Sequence, residues 1–243
     1  MGDTKLTFKR LEKKFLLSAQ QYEALRKRLD VYITPDRFFE STVCSVYYDS
    51  EDYSVIRSSI EDPVYKEKLR VRSYNVPEKD GEVFVELKKK FKGVVYKRRV
   101  ATSAEKAVSW LSGDSPAPED SQMCREIDWF LRMNRVAPKV FIACDRQAYV
   151  AKDDDELRIT FDKNIRWRDT GLDLTEGSHG QPLTEEGEVL MEIKLNGAAP
   201  LWLVHILSEL SLYPTGFSKY GTAYKKYLLD LFFGDIAYQT PHS

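Results

Sequence analysis

Cysteine is scarce in this chain of 243 residues. Cys44, Cys124 and Cys144 are odd in number, far apart and without a CxxC pair, which excludes a disulfide framework or a zinc knuckle and fits a reducing, cytoplasmic setting. Histidine is as rare: His179, His205 and His242 stand alone, with no HExxH helix around any of them. The sequence also lacks the phosphate-loop pattern GxxxxGK[ST] and the dinucleotide pattern GxGxxG. No apolar signal core opens the chain. The most apolar run, residues 201–212, is broken by His205 and Glu209 and is too short to span a bilayer, so no membrane segment is expected. Nor is there an excess of one charge. Lys and Arg number 37 against 38 Asp and Glu, so the global basic field of a nucleic-acid-coating protein is missing and any anion site must be local.

What is present is a globular composition, 42% hydrophobic and 31% charged, enough for one sizeable core and a single domain over residues 1–243. The basic residues are not scattered. In Lys66-Glu67-Lys68-Leu69-Arg70-Val71-Arg72, read as a strand, Lys68, Arg70 and Arg72 share one face and Leu69 and Val71 the other. Val83 to Lys90 repeats the arrangement, with Glu86, Lys88 and Lys90 opposite Val83, Val85 and Leu87. An ordinary solvent face mixes both signs with Thr, Ser and Gln. These faces are nearly all Lys and Arg.

Along the chain, Thr7 to Leu17 reads as a strand with Arg10, Glu12, Lys14 and Leu16 on one side, followed by a capping box at Ser18 and Gln21 that opens a helix to about Leu29. Thr42 to Tyr48 is β-rich and Tyr53 to Ile60 a short helix. Residues 75–81, with Pro77 and Asp80-Gly81, join the two basic strands as a hairpin, and Gly93 makes a second turn before Val94 to Val100, where Val95, Lys97 and Arg99 share a face. Helical periodicity covers Thr102 to Leu111 and Glu119 to Met133. Pro138 to Val150, Leu157 to Asp162 and Val189 to Leu195 are further strands, the last two carrying Arg158, Thr160 and Asp162, then Glu192 and Lys194, on single faces. Arg158 and Asp162 are expected to pair, leaving Asp162 structural. Lys13, Lys89, Lys90 and Arg98 fall on the other parity or at strand ends and read as surface charges. Two apolar helices, Ala199 to Leu212 and Ser218 to Phe233, close the chain.

At least five strands with one ionic and one apolar face, interspersed with helices, predict an α+β fold; closed into an antiparallel barrel, they would turn their apolar faces outward onto the helices and their charged faces into a wet lumen. So many like charges repel by several kcal/mol in sum at an effective dielectric of roughly 20, and a multivalent anion offsets that. The acidic residues among them point to Mg²⁺ or Mn²⁺ between protein and phosphate, because carboxylates and phosphate oxygens suit hard cations. Glu192 as a structural partner of Lys194 or Arg158 stands beside Glu192 as a metal ligand. Nucleic acid is disfavoured, since no base-stacking platform interleaves the basic residues.

Taken together, Glu12 to Phe15, Val46-Tyr47-Tyr48-Asp49-Ser50, Lys68 to Arg72, Val85 to Lys88, Tyr96 to Arg99, Asp145 to Tyr149, Arg158 to Asp162, Met191 to Leu195 and Ser218-Lys219-Tyr220 resemble the vacuolar transporter chaperone (VTC) catalytic domain, a branch of the triphosphate tunnel metalloenzymes. The resemblance implies an antiparallel eight-stranded tunnel β-barrel with a basic lumen and helices packed outside, and a polyphosphate polymerase: γ-phosphoryl transfer from ATP to a growing polyphosphate chain, begun on phosphate or pyrophosphate as acceptor, with ADP released. It implies Lys14, Arg70, Arg72, Lys88, Lys97, Arg146, Ser218 and Lys219 as phosphate ligands, Arg158 and Lys194 as further contacts, and Glu192 as the metal carboxylate, assisted by Glu12 and Glu86. Ser218 and Lys219 would add the amides of a helix start. Cys144 stands where better-known members have Tyr, and Gly216 where eukaryotic members have Lys. The same lining suits a metal-dependent triphosphatase or nucleoside triphosphatase, or a non-catalytic polyphosphate-binding module. Export would need a membrane-protein partner.

Overall fold

The computed structural model describes residues 10–61, 64–92 and 94–229. The strand start at Thr7 to Lys9, the turn at Gly93, the helix end at residues 230–233 and His242 lie outside the described residues.

In chain order the first elements are β1 (Arg10–Leu17), α1 (Ala19–Leu29), β2 (Ile33–Asp49), α2 (Ser54–Ile60), β3 (Tyr65–Tyr74), β4 (Glu82–Phe91) and β5 (Val94–Ser103). Then come α3 (Ala104–Ser112), α4 (Gln122–Asn134), β6 (Ala137–Ala151), β7 (Asp154–Arg168), the two-residue β8 (Gln181–Pro182), β9 (Val189–Asn196), α5 (Leu201–Glu209) and α6 (Lys219–Ala223), which runs into a π-helical turn at Tyr224–Leu228. Eight strands form the hydrogen-bonded path β1-β9-β7-β6-β2-β3-β4-β5, and β8 pairs with β7. The five strand pairs β1–β9, β2–β3, β3–β4, β4–β5 and β7–β9 are antiparallel, so the α+β antiparallel class expected from the alternation is the observed one. Among the described residues no helix is long and apolar enough to cross a membrane.

The chain forms two compact units. The first comprises residues 10–41, 145–164 and 184–217. Its core is built from the apolar parity of β1, β7 and β9, namely Phe15 and Leu17, Leu157, Ile159 and Phe161, and Met191, Ile193 and Leu195, packed against Leu25 and Leu29 of α1 and Leu203 and Ile206 of α5. Helix α1 starts where its capping box places it: the Ser18 hydroxyl accepts from the Gln21 amide at 3.2 Å, and the Gln21 side chain accepts from the Ser18 amide at 3.0 Å. The second unit comprises residues 42–144, 165–183 and 218–229. Leu69 and Val71 of β3, Val83, Val85 and Leu87 of β4 and Val100 of β5 pack against Ala107, Trp110 and Leu111 of α3 and Ile127 and Phe130 of α4. The charged parity of the same strands is therefore turned away from these helices. Lys89 and Arg98, on the helix side, both pair with Glu126 of α4 at 3.7 and 3.2 Å. Asn75 secures the β3–β4 turn, with φ of 66° and its side chain accepting from the Thr42 amide at 3.0 Å.

Candidate functional site

In the second unit, strand register converts parity into rows. Tyr47, Arg70, Glu86 and Arg99 lie abreast across β2, β3, β4 and β5. On one side of that row stand Ser45, Arg72, Phe84 and Ala101, and on the other Lys68, Lys88 and Lys97. Like charges directly opposite on neighbouring strands destabilise a sheet, so the Lys68-Lys88-Lys97 row costs stability that a bound anion would offset.

Glu86 is the only carboxylate in these three rows and is 1% exposed. Arg70 grips its Oε2 through Nε at 2.8 Å and Nη2 at 2.7 Å. Lys97 Nζ and Arg99 Nε each reach Oε1 at 2.7 Å. Burial alone would raise the Glu86 pKa, but Arg70, Arg72 and Lys97 hold it well below the ordinary carboxylate range. Both oxygens are engaged by cations. That arrangement makes Glu86 a clamp that spaces the guanidinium and ammonium groups, and gives no support to its expected role as a metal ligand. Arg99 shares the Lys97 face in the sequence, but alternation does not single it out as a site residue. Only register reveals that it meets Glu86 and, through Nη2 at 3.4 Å, the Tyr74 hydroxyl.

Arg72 Nε donates to the Ser45 hydroxyl at 3.2 Å, and Arg70 Nη1 to the Tyr47 hydroxyl at 3.1 Å. Burial of Tyr47 works to raise its pKa, yet the charges of Arg70 and Arg72, the Arg70 hydrogen bond and the charge of Lys219 pull it down to about 8. Ser218 and Lys219 join this set through two contacts: Lys68 Nζ donates to the Ser218 hydroxyl at 3.2 Å, and the Tyr220 ring stacks on Tyr47 with centroids 4.8 Å apart. Ser218 also caps α6, accepting from the Gly221 amide at 3.3 Å. The second unit thus gathers Arg70, Arg72, Lys88, Lys97, Ser218 and Lys219 of the expected residues, and adds Lys68, Arg99, Ser45 and Tyr47.

The first unit holds the remaining expected residues on another strand face. Lys14 lies opposite Glu192 and then Thr160 across β1, β9 and β7, while Glu12, Lys194 and Arg158 form the adjacent row. Lys14 Nζ sits 3.5 Å from both Glu12 and Glu192, and Lys194 Nζ is 3.5 Å from Glu192. Glu192 therefore pairs with Lys194, one of the two structural partners expected for it, and with Lys14 in addition. Arg158 approaches Asp36 at 3.8 Å. Asp162, expected to pair with Arg158, instead receives a fork from Arg146, with Nε to Oδ1 at 2.6 Å and Nη2 to Oδ2 at 2.7 Å. The reason is geometric: residues i and i+4 on one strand are about 13 Å apart, whereas Arg146 on β6 faces β7.

Among the described residues no group of three or more His, Cys, Asp or Glu is placed to hold a metal ion. Glu12 and Glu192 nevertheless suit Mg²⁺ or Mn²⁺ as a pair, because they flank one Lys14 ammonium on a shared face, and such cations commonly take one or two carboxylates and complete their shell with phosphate oxygens and water.

The VTC domain model matches residues 9–228. No curated protein matches the sequence. Among solved structures, a proposed adenylate cyclase from Bacillus halodurans is 13% identical with a TM-score of 0.52, over 86% of this chain and 95% of that one, a likeness of fold. A proposed adenylate cyclase from Vibrio parahaemolyticus is 9% identical with a TM-score of 0.44, over 88% and 97% of the two chains. The PH1819 protein from Pyrococcus horikoshii is 15% identical with a TM-score of 0.45, over 91% and 99%.

Proposed function

Because the chain belongs to the VTC domain family, we propose that it is a metal-dependent polyphosphate polymerase that moves the γ-phosphoryl group of ATP onto the end of a polyphosphate chain. The observation that carries this reading is that buried Glu86 is the one carboxylate in the rows that hold Lys68, Arg70, Arg72, Lys88, Lys97 and Arg99. One negative charge leaves that face with a large surplus of positive charge, and a polyanion is the ligand that compensates it.

In the transfer a terminal oxygen of the acceptor chain bonds to the γ-phosphorus. The bond from that phosphorus to the β–γ bridging oxygen breaks, and ADP leaves with the electron pair. The attacking oxygen is already anionic, so the protein's task is to hold attacking and leaving oxygens in line and to neutralise them. Arg70 and Arg72 present planar forks that fix a phosphate group, while Lys68, Lys88 and Lys97 act as point charges past which a chain can advance. Glu86 keeps Arg70, Lys97 and Arg99 spread for that purpose. Glu12 and Glu192 would hold a divalent cation, which would supply further charge neutralisation when bound. The proposal takes residues 1–243 as one functional domain, cytoplasmic, acting on ATP and on phosphate, pyrophosphate or polyphosphate as acceptor, with a membrane protein as the export partner.

The test is incubation of the purified chain with ATP and Mn²⁺ or Mg²⁺, resolving products by gel and by phosphorus NMR. Long-chain polyphosphate appearing with ADP is expected. Free phosphate or pyrophosphate without polymer would move the assignment to a triphosphatase, and tight polymer binding without turnover to a recruiting module.

A further inference from the structure

Thr160 is 9% exposed, and its hydroxyl has no hydrogen-bond partner among the described residues. It is no stray core position. Its neighbours along the same face of β7 are Arg158 and Asp162, and directly across β9 is Glu192, itself 8% exposed and paired with Lys14 beyond it. The other parity of β7, Leu157, Ile159 and Phe161, is the one that packs into the apolar core. A buried hydroxyl left without a partner costs free energy that a valine of the same shape would not. A threonine with an unpartnered hydroxyl on the charged face, abreast of Glu192 and Lys14, implies an acceptor that arrives with a ligand.

We propose that Thr160 is a further anion-binding residue, whose hydroxyl donates to an oxygen of the phosphate group bound beside Glu192 and Lys14. This rests on the polyphosphate reading of the chain. Lys14 offers that group a mobile charge. Thr160 offers it a short donor fixed by a β-branched side chain on a strand, so the pair sets where a phosphate oxygen sits relative to the Glu192 carboxylate.

The probe is inorganic tripolyphosphate, titrated calorimetrically into the full chain in EDTA and again with Mn²⁺, for wild type, Thr160→Val and Thr160→Ser. Valine is expected to weaken binding about ten- to a hundred-fold with and without Mn²⁺, the loss of one hydrogen bond to a charged acceptor, while serine stays within about two-fold of wild type. The melting temperature of ligand-free Thr160→Val should equal or exceed that of wild type, because the substitution removes a hydroxyl that has no partner without ligand. Unchanged affinity in the valine variant, an equal loss in the serine variant, or a lower melting temperature would each overturn the proposal. A loss seen only with Mn²⁺ would also overturn it, by shifting the hydroxyl to a metal-bound water. Failure of wild type itself to bind tripolyphosphate would sink the polyphosphate reading, whereas binding by wild type and valine alike would sink only the role of Thr160.

Discussion

The Tyr220 hydroxyl donates to Asp49 Oδ2 at 2.8 Å, across 171 residues of sequence, with both side chains buried. The same carboxylate accepts the Ser50, Val55 and Ile56 amides at 2.8, 3.0 and 2.9 Å. Asp49 therefore ends β2, caps the start of α2 and anchors the start of α6, the segment that carries Ser218 and Lys219. Tyr220→Phe should lower unfolding free energy by about 1.5–3 kcal/mol, the usual contribution of a hydrogen bond to a charged group. Urea denaturation reads that change. Tripolyphosphate affinity should fall by a few-fold in the same variant, because Lys219 is less well placed.

Glu86→Gln removes the one negative charge from the row of Arg70 and Arg99. The cations then face each other without their counter-ion, and a loss of roughly 3 kcal/mol at neutral pH is expected, the low end for a broken buried pair because Lys97 and Arg99 reach solvent. The pH dependence has a definite sign. The folded pKa of Glu86 lies below its unfolded value, so its contribution is present above the ordinary carboxylate range and is lost as pH falls through that range toward the folded value. Wild-type stability should therefore drop on acidification by more than that of Glu86→Gln, and the two should converge at low pH. Parallel urea curves at neutral and acid pH decide it.

Much of this arrangement is legible in the sequence because period-2 alternation fixes which face a side chain takes, and a capping box fixes where a helix starts. Arg70, Arg72, Lys88 and Lys97 emerge from alternation alone, and Ser18 with Gln21 marks the start of α1. Alternation does not say which residue on one strand lies beside which on the next. The meeting of Arg99 with Glu86, the capture of Asp162 by Arg146 and the placing of Thr160 against Glu192 all depend on register, which closes only when the sheet forms. The first half of β2, residues 33–41, escapes detection for a different reason. Pro35 cannot donate to a ladder, and Arg37 and Phe38 are both exposed, so the stretch shows neither clean alternation nor a buried run.

Glu192→Gln tests the metal assignment separately from the anion assignment. The substitution keeps the shape and leaves Lys14 and Lys194 in place, while one carboxylate charge is removed from the pair that suits a hard cation. Mn²⁺ affinity in the presence of a nonhydrolysable ATP analogue, read by electron paramagnetic resonance of the free ion, should fall at least about ten-fold. Tripolyphosphate binding in EDTA should hold or tighten slightly, because a repelling charge has gone. Unaltered Mn²⁺ titration would make Glu192 a structural partner of the two lysines.

In the row of Tyr47, Arg70, Glu86 and Arg99, Tyr47 is the group whose ionisation falls nearest to neutral pH. The charges of Arg70, Arg72 and Lys219 overcome its burial and bring the phenol to about 8, from an ordinary value of 10. Above that pH the phenolate cancels one positive charge beside Arg70, so anion affinity should weaken between about pH 7 and about pH 9 in wild type and less so in Tyr47→Phe; protonation of the ligand itself is common to both and drops out of the comparison. Linkage requires the converse. A bound triphosphate repels the phenolate and must raise the Tyr47 pKa, so the tyrosinate absorbance band expected near pH 8 in the free protein should move to higher pH on adding tripolyphosphate and be missing from Tyr47→Phe. Stability follows the same sign: a folded pKa below the unfolded one gives a contribution that is absent below about pH 8, grows as pH rises through the folded value and is complete above the unfolded value near 10. Wild type should therefore gain stability over Tyr47→Phe across that interval. A tyrosinate band that is unmoved by tripolyphosphate would place the anion away from the row of Tyr47, Arg70, Glu86 and Arg99.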